Sequence, residues 1–304
     1  MTAGSAGGGP ATACLRQAIL TAAATLAEAG VDSARHDAEM LAAHVAGIER
    51  GRLALLESPD AEFYDLFDAA VAARAQRIPL QHITGTAAFG PVRLEVGPGV
   101  FIPRPETEAL LEWALAQPLP VDPVIVDLCT GSGALAIALA AGRPDARVIA
   151  VDDDAAALSY AERNASSTGV RLVNGDVTDP DLLPDLVNAV DLLVANPPYI
   201  PVGVPVGGEL GGELDPEVAR HDPEHALFGG ADGMAVITPI IRRAADWLRP
   251  CGLLAIEHDE TTSESTIDRI RAVGTFANIA AHRDLTGRPR FVTARRTGAA
   301  TGDR

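Results

Sequence analysis

The chain has no lysine: all 24 of its basic residues are arginine, and they face 41 acids for a net charge of −17. A duplex-binding surface neutralises phosphates with cations, so a charge of this sign and size argues against bulk nucleic-acid binding. It leaves room for a local basic patch, since Arg283, Arg288, Arg290, Arg295 and Arg296 gather near the C-terminus. The missing lysine, alongside abundant alanine, reads as codon bias and carries no function. Cysteine is scarce as well. Cys14, Cys129 and Cys251 are scattered without a Cys-x-x-Cys pair, which argues against a disulfide framework or a zinc site and fits a reducing, cytoplasmic setting. No apolar run nears the roughly 18 residues of a spanning helix. The opening "MTAGSAGGGP" lacks the basic start and apolar stretch of a secretory signal.

What is present is core material, 47% hydrophobic residues over 304 positions, enough for two domains at roughly 100–200 residues each. Residues 1–10 read as a disordered leader and 298–304 as a tail. From 11 to 78 the pattern is helical. Leu15, Ile19, Ala22 and Leu26 recur at helical spacing, Gly30 and Gly47 act as stops, Asp32 or Ser33 caps a second helix, and Pro59 and Asp60 suit the first turn of a third. Residues 79–106 change to Gly, Pro and β-branched residues, with "VRLEV" alternating as a half-buried strand does, and read as a linker with a hairpin. From 107 to 297 strands and helices alternate: "VIVDLC", "GALAIALAAG", "RVIAVD", "AALSYAERNASSTG", "VRLVNGD", "VDLLVANPPY", "MAVITPIIRRAADWL", "GLLAIEH". The expected fold class is α/β, a mostly parallel sheet of Rossmann-like kind covered on both faces, preceded by a small helical bundle and a hairpin. Between Ile200 and Asp232 a long Gly-rich stretch holds seven acids against Arg220 alone, the profile of a functional or disordered loop.

Three features carry chemistry. "VIVDLCTGSGALA" ends a strand at Asp127 and opens a helix through Gly131, Ser132 and Gly133, where a ligand can approach the backbone and meet unpaired N–H groups. Taken alone, with Asp152 some twenty residues on, it fits a dinucleotide fingerprint equally well. Asp152 can take both ribose hydroxyls and Asp176 ends the next strand where an adenine amino group would lie, so a nucleoside is implied. Successive strand-end acids with Asp127 as counter-charge suit an adenosine bearing a cationic sulfonium, S-adenosylmethionine. The third feature is "NPPY". Pro197 and Pro198 cannot continue a ladder and fix a stiff turn at the carboxyl end of a strand, which holds Asn196 and Tyr199 in place. A planar nitrogen, its lone pair delocalised, has to be held and aimed to accept a methyl group. The Asn196 side-chain carbonyl and Pro197 backbone carbonyl can accept its two N–H protons while Tyr199 stacks on the group. Asn196, Pro197 and Tyr199 are therefore the expected catalytic residues, with orientation as the main source of acceleration and no metal required.

Taken together, "PLQHITG" (79–85), "FG" (89–90), "VFIPRPETE" (100–108), "DLCTGSG" (127–133), "NPPYI" (196–200), "ALFGGADGM" (226–234) and "DLTGRPR" (284–290) resemble the peptide-chain-release-factor glutamine N(5)-methyltransferase family, from about residue 14 to 293. The resemblance implies methyl transfer from S-adenosylmethionine, leaving S-adenosylhomocysteine, to the glutamine of the Gly-Gly-Gln loop of bacterial class I release factors. It implies that the helical domain grips the factor. It places cofactor contacts on Asp127, Cys129, Thr130, Gly131, Ser132, Gly133, Asp152, Asp176, Val177 and Asn196, and substrate contacts on Asn196, Pro197, Pro198 and Tyr199. Three departures stand out: Cys129 where the family usually has glycine, a small residue expected to be tolerated; "EHDE" (257–260) without the usual glycine and glutamine; and the Gly-rich "PVGVPVGGELGG". Arg104 and Glu106 read as a hinge ion pair or part of the pocket wall, and His221 and His225 as no metal site. Rival readings are a nucleic-acid adenine methyltransferase sharing "NPPY", opposed by the acidic charge, and a non-catalytic regulator that has kept the cofactor pocket.

Overall fold

The computed structural model describes residues 10–57, 59–203, 215–284 and 286–298. Most of the expected leader and tail lie outside them; Pro10 begins the first helix, and of "PVGVPVGGELGG" only 201–203 are described. The chain divides into two compact units, residues 1–85 and 86–304.

The first unit is helical: α1 (Pro10–Glu28), α2 (Ala34–Val45), α3 (Ala61–Ala75) and α4 (Leu80–Thr84). Leu15, Ile19, Ala22 and Leu26 of α1 pack on Ala38, Leu41 and Ala42 of α2 and on Phe63, Phe67 and Val71 of α3, so the helical spacing marks a buried stripe. Asp60 caps α3, its side chain accepting from the Phe63 N–H at 2.9 Å. Ser33 precedes α2, and its hydroxyl donates to Asp37 at 2.8 Å instead of capping the backbone. Arg74 Nε donates to Asp37 at 2.7 Å with both side chains buried. The stretch expected to start the linker is instead the short helix α4, entered from extended Pro79 and closed by left-handed Gly85; five residues are too few to show a helical period.

The second unit opens with the antiparallel hairpin β1 (Thr86–Phe89) and β2 (Val92–Glu95). There follow α5 (Glu108–Leu115), β3 (Val124–Leu128), α6 (Ala134–Gly142), β4 (Arg147–Asp152), α7 (Ala155–Ala165), β5 (Arg171–Asn174), β6 (Val190–Ala195), the short α8 (Pro216–His221) and α9 (Glu224–Leu227), α10 (Ile237–Trp247), β7 (Leu248–Glu257), α11 (Ser263–Val273), β8 (Phe276–Arg283) and β9 (Pro289–Arg296). The sheet order is β5-β4-β3-β6-β7-β9-β8, parallel from β5 to β7 and antiparallel at β9 and β8. This is the mostly parallel α/β sheet expected. Alternation along the strands sorts side chains to two faces. Val126, Ile149, Leu193 and Leu254 pack with Ile240, Ile241 and Trp247 of α10, while Ile125, Val148, Leu192 and Leu253 pack with Leu110 of α5 and Leu139 of α6. The last helix and two strands were absent from the sequence reading. β8 mixes exposed and half-buried positions without strict alternation, so its sequence carries no clean strand signal.

The strand order reverses between β3 and β6. In an open α/β sheet the crevice outside the carboxyl ends at such a reversal is where ligands bind.

Candidate active site

A cavity of about 330 Å³ lies at that edge, lined by the loops after β3, β4, β5 and β6 and by Phe101, Arg104 and Thr107. That volume suits a small-molecule site. Of the residues singled out in the sequence, Asp127, Cys129, Thr130, Gly131, Ser132, Asp152, Asp176, Val177, Asn196, Pro197, Pro198 and Tyr199 all line it. Gly133 does not; it is the left-handed N-cap of α6, where an added Cβ would lie 2.9 Å from Ile137 Cδ1.

Asp127, one residue from the end of β3, is fully buried. Its Oδ2 accepts from the Thr130 hydroxyl at 2.6 Å and from the Ala136 N–H at 3.2 Å, while Oδ1 is buried with no hydrogen-bond partner among the described residues. Desolvation pushes its pKa up to about 7, against those two hydrogen bonds and with a smaller contribution from the nearby Asp152 charge. A buried carboxylate with one unmatched oxygen at a cavity wall calls for a cation or an N–H donor. Asp152 ends β4 and ties the Gly loop to its own turn: Oδ2 accepts from the Gly131 N–H at 2.7 Å and Oδ1 from the Asp154 N–H at 3.0 Å. Burial raises its pKa too. Asp176 behaves differently. It lies two residues past the end of β5 and accepts from the Thr178 N–H at 2.7 Å, which holds its pKa low.

Cys129 stands at φ 60°, in the left-handed region. This is a backbone conformation that glycine adopts freely and a cysteine adopts only with strain, so the position makes a backbone demand as well as a size limit. Its thiol is pushed well up by burial, with the surrounding Asp charges adding to the shift.

Asn196 follows β6 immediately, and its Nδ2 donates to the Thr107 hydroxyl oxygen at 3.2 Å. Tyr199 packs against the core beneath the sheet, and its hydroxyl donates to Glu257 Oε1 at 3.2 Å. Glu257, the last residue of β7, is 1% exposed, with its pKa pushed up to about 7 by desolvation against stabilisation from Thr107, Arg290 and Tyr199. Arg290 lines the cavity and is held by Asp284, at 3.3 Å from Nε and 3.2 Å from Nη2. The "NPPY" turn is braced from outside by the "FGGADG" loop. The Ile200 N–H donates to Leu227 O and the Gly229 N–H to Ile200 O, both at 2.9 Å. An added Cβ on Gly229 would lie 2.5 Å from the Pro198 carbonyl oxygen.

Arg104 does pair, but with Asp222 ahead of α9 and not with Glu106, and its guanidinium lies 5.0 Å from the Phe101 ring centre. His225 Nε2 is 2.8 Å from Asp153, a contact that raises the imidazole pKa. Thr107, Glu257, Arg290, Gly229 and Gly233, the last lying against the Tyr199 carbonyl, have no role assigned from the sequence. Their quoted motifs, "PETE", "EHDE", "DLTGRPR" and "ALFGGADGM", were the available signal. No helix of the described residues is long and apolar enough to cross a membrane.

Comparison with known proteins places this arrangement among relatives. Residues 17–85 match the profile described as PrmC N-terminal domain, and residues 103–203 that described as Methyltransferase small domain. The chain is 64% identical over 282 residues to a release factor glutamine methyltransferase of Mycolicibacterium smegmatis, spanning 93% of this chain and 98% of the relative. It is 60% identical over 288 residues to that of Mycobacterium tuberculosis H37Rv, with 93% and 92% covered. Against the Corynebacterium glutamicum protein of the same name the identity is 46% over 286 residues, with 93% and 99% covered.

Proposed function

The chain belongs to the release factor glutamine methyltransferase family, and from that premise we propose that it methylates the side-chain amide nitrogen of the glutamine in the Gly-Gly-Gln loop of bacterial class I peptide chain release factors, using S-adenosylmethionine. A cytoplasmic location follows from such a substrate. The observation that carries the reading is the anchoring of Asn196. One of its amide N–H groups is donated to Thr107, while Oδ1 makes no hydrogen bond among the described residues and is available to accept from a substrate N–H in the cavity that Asn196 lines.

Bound S-adenosylmethionine supplies an electrophilic methyl group on a cationic sulfonium. The residues present fit such a ligand. Asp127 offers a buried, unpartnered Oδ1 to a cationic group, and Asp152, whose two oxygens each keep a free lone pair, suits a ribose diol. Asp176 and Val177 border the same cavity on the side of an adenine.

On the substrate side, Asn196 Oδ1 and the Pro197 carbonyl take the two amide protons, which turns the nitrogen lone pair toward the methyl carbon. The Tyr199 ring supports the amide plane. Pro197 and Pro198 keep both acceptors from drifting, because neither residue can rotate about φ. Rate is gained through orientation, worth up to about 7–11 kcal/mol in favourable systems. The helical first unit is assigned to holding the factor.

The test uses labelled S-adenosylmethionine with a purified release factor, alongside the same factor carrying Gln→Ala in its Gly-Gly-Gln loop. Label is expected on the first and not on the second. Asn196→Ala is expected to keep cofactor affinity within a few-fold while kcat falls by about 10²–10³, the cost of losing one preorganised hydrogen bond. Label on the altered factor, or wild-type turnover by Asn196→Ala, would overturn the reading.

A further inference from the structure

Asn164, in the last turn of α7, ties that helix to two other pieces of the chain. Its Oδ1 accepts from the Glu95 N–H at 2.6 Å, and its Nδ2 donates to the Glu95 carbonyl at 3.0 Å and to the Ser132 carbonyl at 2.9 Å. Glu95 ends the hairpin strand β2, and Ser132 lies in the Gly loop between β3 and α6 and lines the cavity. A backbone N–H can only donate and a carbonyl can only accept, so the two bonds to Glu95 fix which end of the amide is oxygen. Both Nδ2 hydrogens are then committed, one to each carbonyl.

The Ser132–Gly133 peptide unit is thereby held at both of its polar atoms: Asn164 donates to its carbonyl, and its N–H donates to the Thr130 carbonyl at 2.9 Å. The Gly131 N–H, two units earlier, is held by Asp152 at 2.7 Å. Gly131 and Gly133 stand at φ 58° and 85°, so the loop runs through two residues that exchange conformations at little cost and needs such pins to keep one shape. The same helix face grips the hairpin. Arg163 Nε donates to Glu95 Oε2 at 2.9 Å and the Tyr160 hydroxyl to the Pro98 carbonyl at 3.3 Å. The hairpin and the residues after it give Phe89, Val100 and Phe101 to the cavity wall, so one amide references the Gly loop to that wall.

We propose that Asn164 is a positioning residue for the cofactor, holding the Gly loop in its receiving shape through the Ser132 carbonyl. The proposal rests on the reading that this loop receives S-adenosylmethionine. The affinity of a site falls by the fraction of molecules in which the site is formed, so a loop freed from its pin binds more weakly without losing any contact to the ligand. α7 serves both of the loops concerned. It starts at the Asp152 turn, where Asp154 caps it by accepting from the Ala156 N–H at 2.8 Å, and its last turn carries Asn164 to the Gly loop.

Asn164→Asp keeps the acceptor for the Glu95 N–H, removes both donors and sets a carboxylate against two carbonyl oxygens. Asn164→Ala removes all three bonds. Calorimetry with S-adenosylmethionine at about pH 8 is expected to show both variants binding about tenfold more weakly, while kcat with a release factor at saturating cofactor stays within a few-fold. Tyr160→Phe loosens α7 from the hairpin without touching the Ser132 carbonyl and should bind as wild type does. Lowering the pH separates a donor from general packing. Carbonyl oxygens favour the protonated form of a carboxyl group, which regains one O–H donor. Expressed as a ratio to wild type, so that the shared titration of Asp127 and Asp152 drops out, the affinity of Asn164→Asp should recover several-fold between about pH 8 and about pH 5.5, and that of Asn164→Ala should not. Glu95 and Arg163, the charged side chains beside the position, pair with each other and are present in every variant. Wild-type affinity in Asn164→Asp at the upper pH, an equal loss in Tyr160→Phe, a ratio for Asn164→Asp that does not move with pH, or a loss confined to kcat would overturn the proposal. If Asn164→Ala does not fold, the pH dependence of Asn164→Asp decides alone. A wild type that binds no S-adenosylmethionine overturns the parent reading of the loop, whereas a wild type that binds it no more tightly than Asn164→Asp overturns the positioning role alone.

Discussion

Gly233 sits against the backbone carbonyl of Tyr199 so closely that a Cβ built on the glycine would overlap that oxygen. The same Cβ would lie 3.0 Å from Thr262 Cγ2, and the backbone there is at φ +74°, a conformation that disfavours any L side chain. The "FGGADG" loop is thus a brace for the "NPPY" turn, with Gly229 and Gly233 lying against its backbone carbonyls.

Gly233→Ala is therefore expected to push Tyr199 and the turn it closes. Stability should fall by about 1–3 kcal/mol from strain and overlap together. Turnover should fall further than cofactor binding, because Asp127 and Asp152 lie on other loops. Thermal melting and calorimetry with S-adenosylmethionine, read beside single-turnover rates, would separate these effects; an alanine variant with unchanged turnover would show that the brace is not needed.

The pH dependence of stability follows from the buried carboxyls. Burial pushes Asp127 up to about 7 from 3.8 and Glu257 up to about 7 from 4.5. The folded chain then binds more protons than the unfolded chain between those limits, and linkage makes stability fall as pH rises through that window, becoming level above it. Asp152 and Asp222, both raised by burial, work in the same direction, as does His225, raised by Asp153. His258 is lowered by burial and works against the trend, while Asp284, held at about 2, acts only in acid. The thermal midpoint of the protein without cofactor is expected to drop between about pH 5 and about pH 8. Asp127→Asn should flatten the slope and melt above wild type at the upper end. A wild-type slope in that variant would mean Asp127 is not desolvated in solution.

The parts of this site that could be read from sequence are those where one residue type dictates backbone geometry locally. Pro197 and Pro198 announce a rigid turn whatever surrounds them, and the Gly loop between a strand and a helix announces close approach to the backbone. The α/β alternation was readable for the same reason, since period-two and helical apolar patterns report burial directly. Glu257 and Arg290 could not be placed, because they come to the site through the pairing of β7 and β9 and neither alters a local pattern; Thr107, just before α5, meets Asn196 89 positions along the chain. Cys129 shows the limit from the other side. Its size was readable, but its φ of 60° belongs to the turn and appears only in the folded chain. Arg104 was noticed beside Glu106, yet its partner Asp222 is 118 positions away.

Asp152 allows the last separation, between binding the cofactor and holding the loop that receives it. Its carboxylate accepts from Gly131 and Asp154 N–H groups before any ligand arrives, so removing it does two things at once. As a ribose acceptor its loss should weaken S-adenosylmethionine by about 1.5–3 kcal/mol, the value of hydrogen bonds to a charged group. As a loop anchor its loss should free the Gly131 amide, which hydrogen exchange reads without cofactor. Asp152→Ala is expected to show both effects. Asp152→Asn can still accept from one backbone N–H and should fall between the two. In both variants kcat at saturating cofactor should stay within a few-fold of wild type, because the proposed aiming of the acceptor nitrogen rests on Asn196 and not on this loop. Unchanged affinity by calorimetry in Asp152→Ala would remove Asp152 from the cofactor site, even if the Gly131 amide exchanged faster.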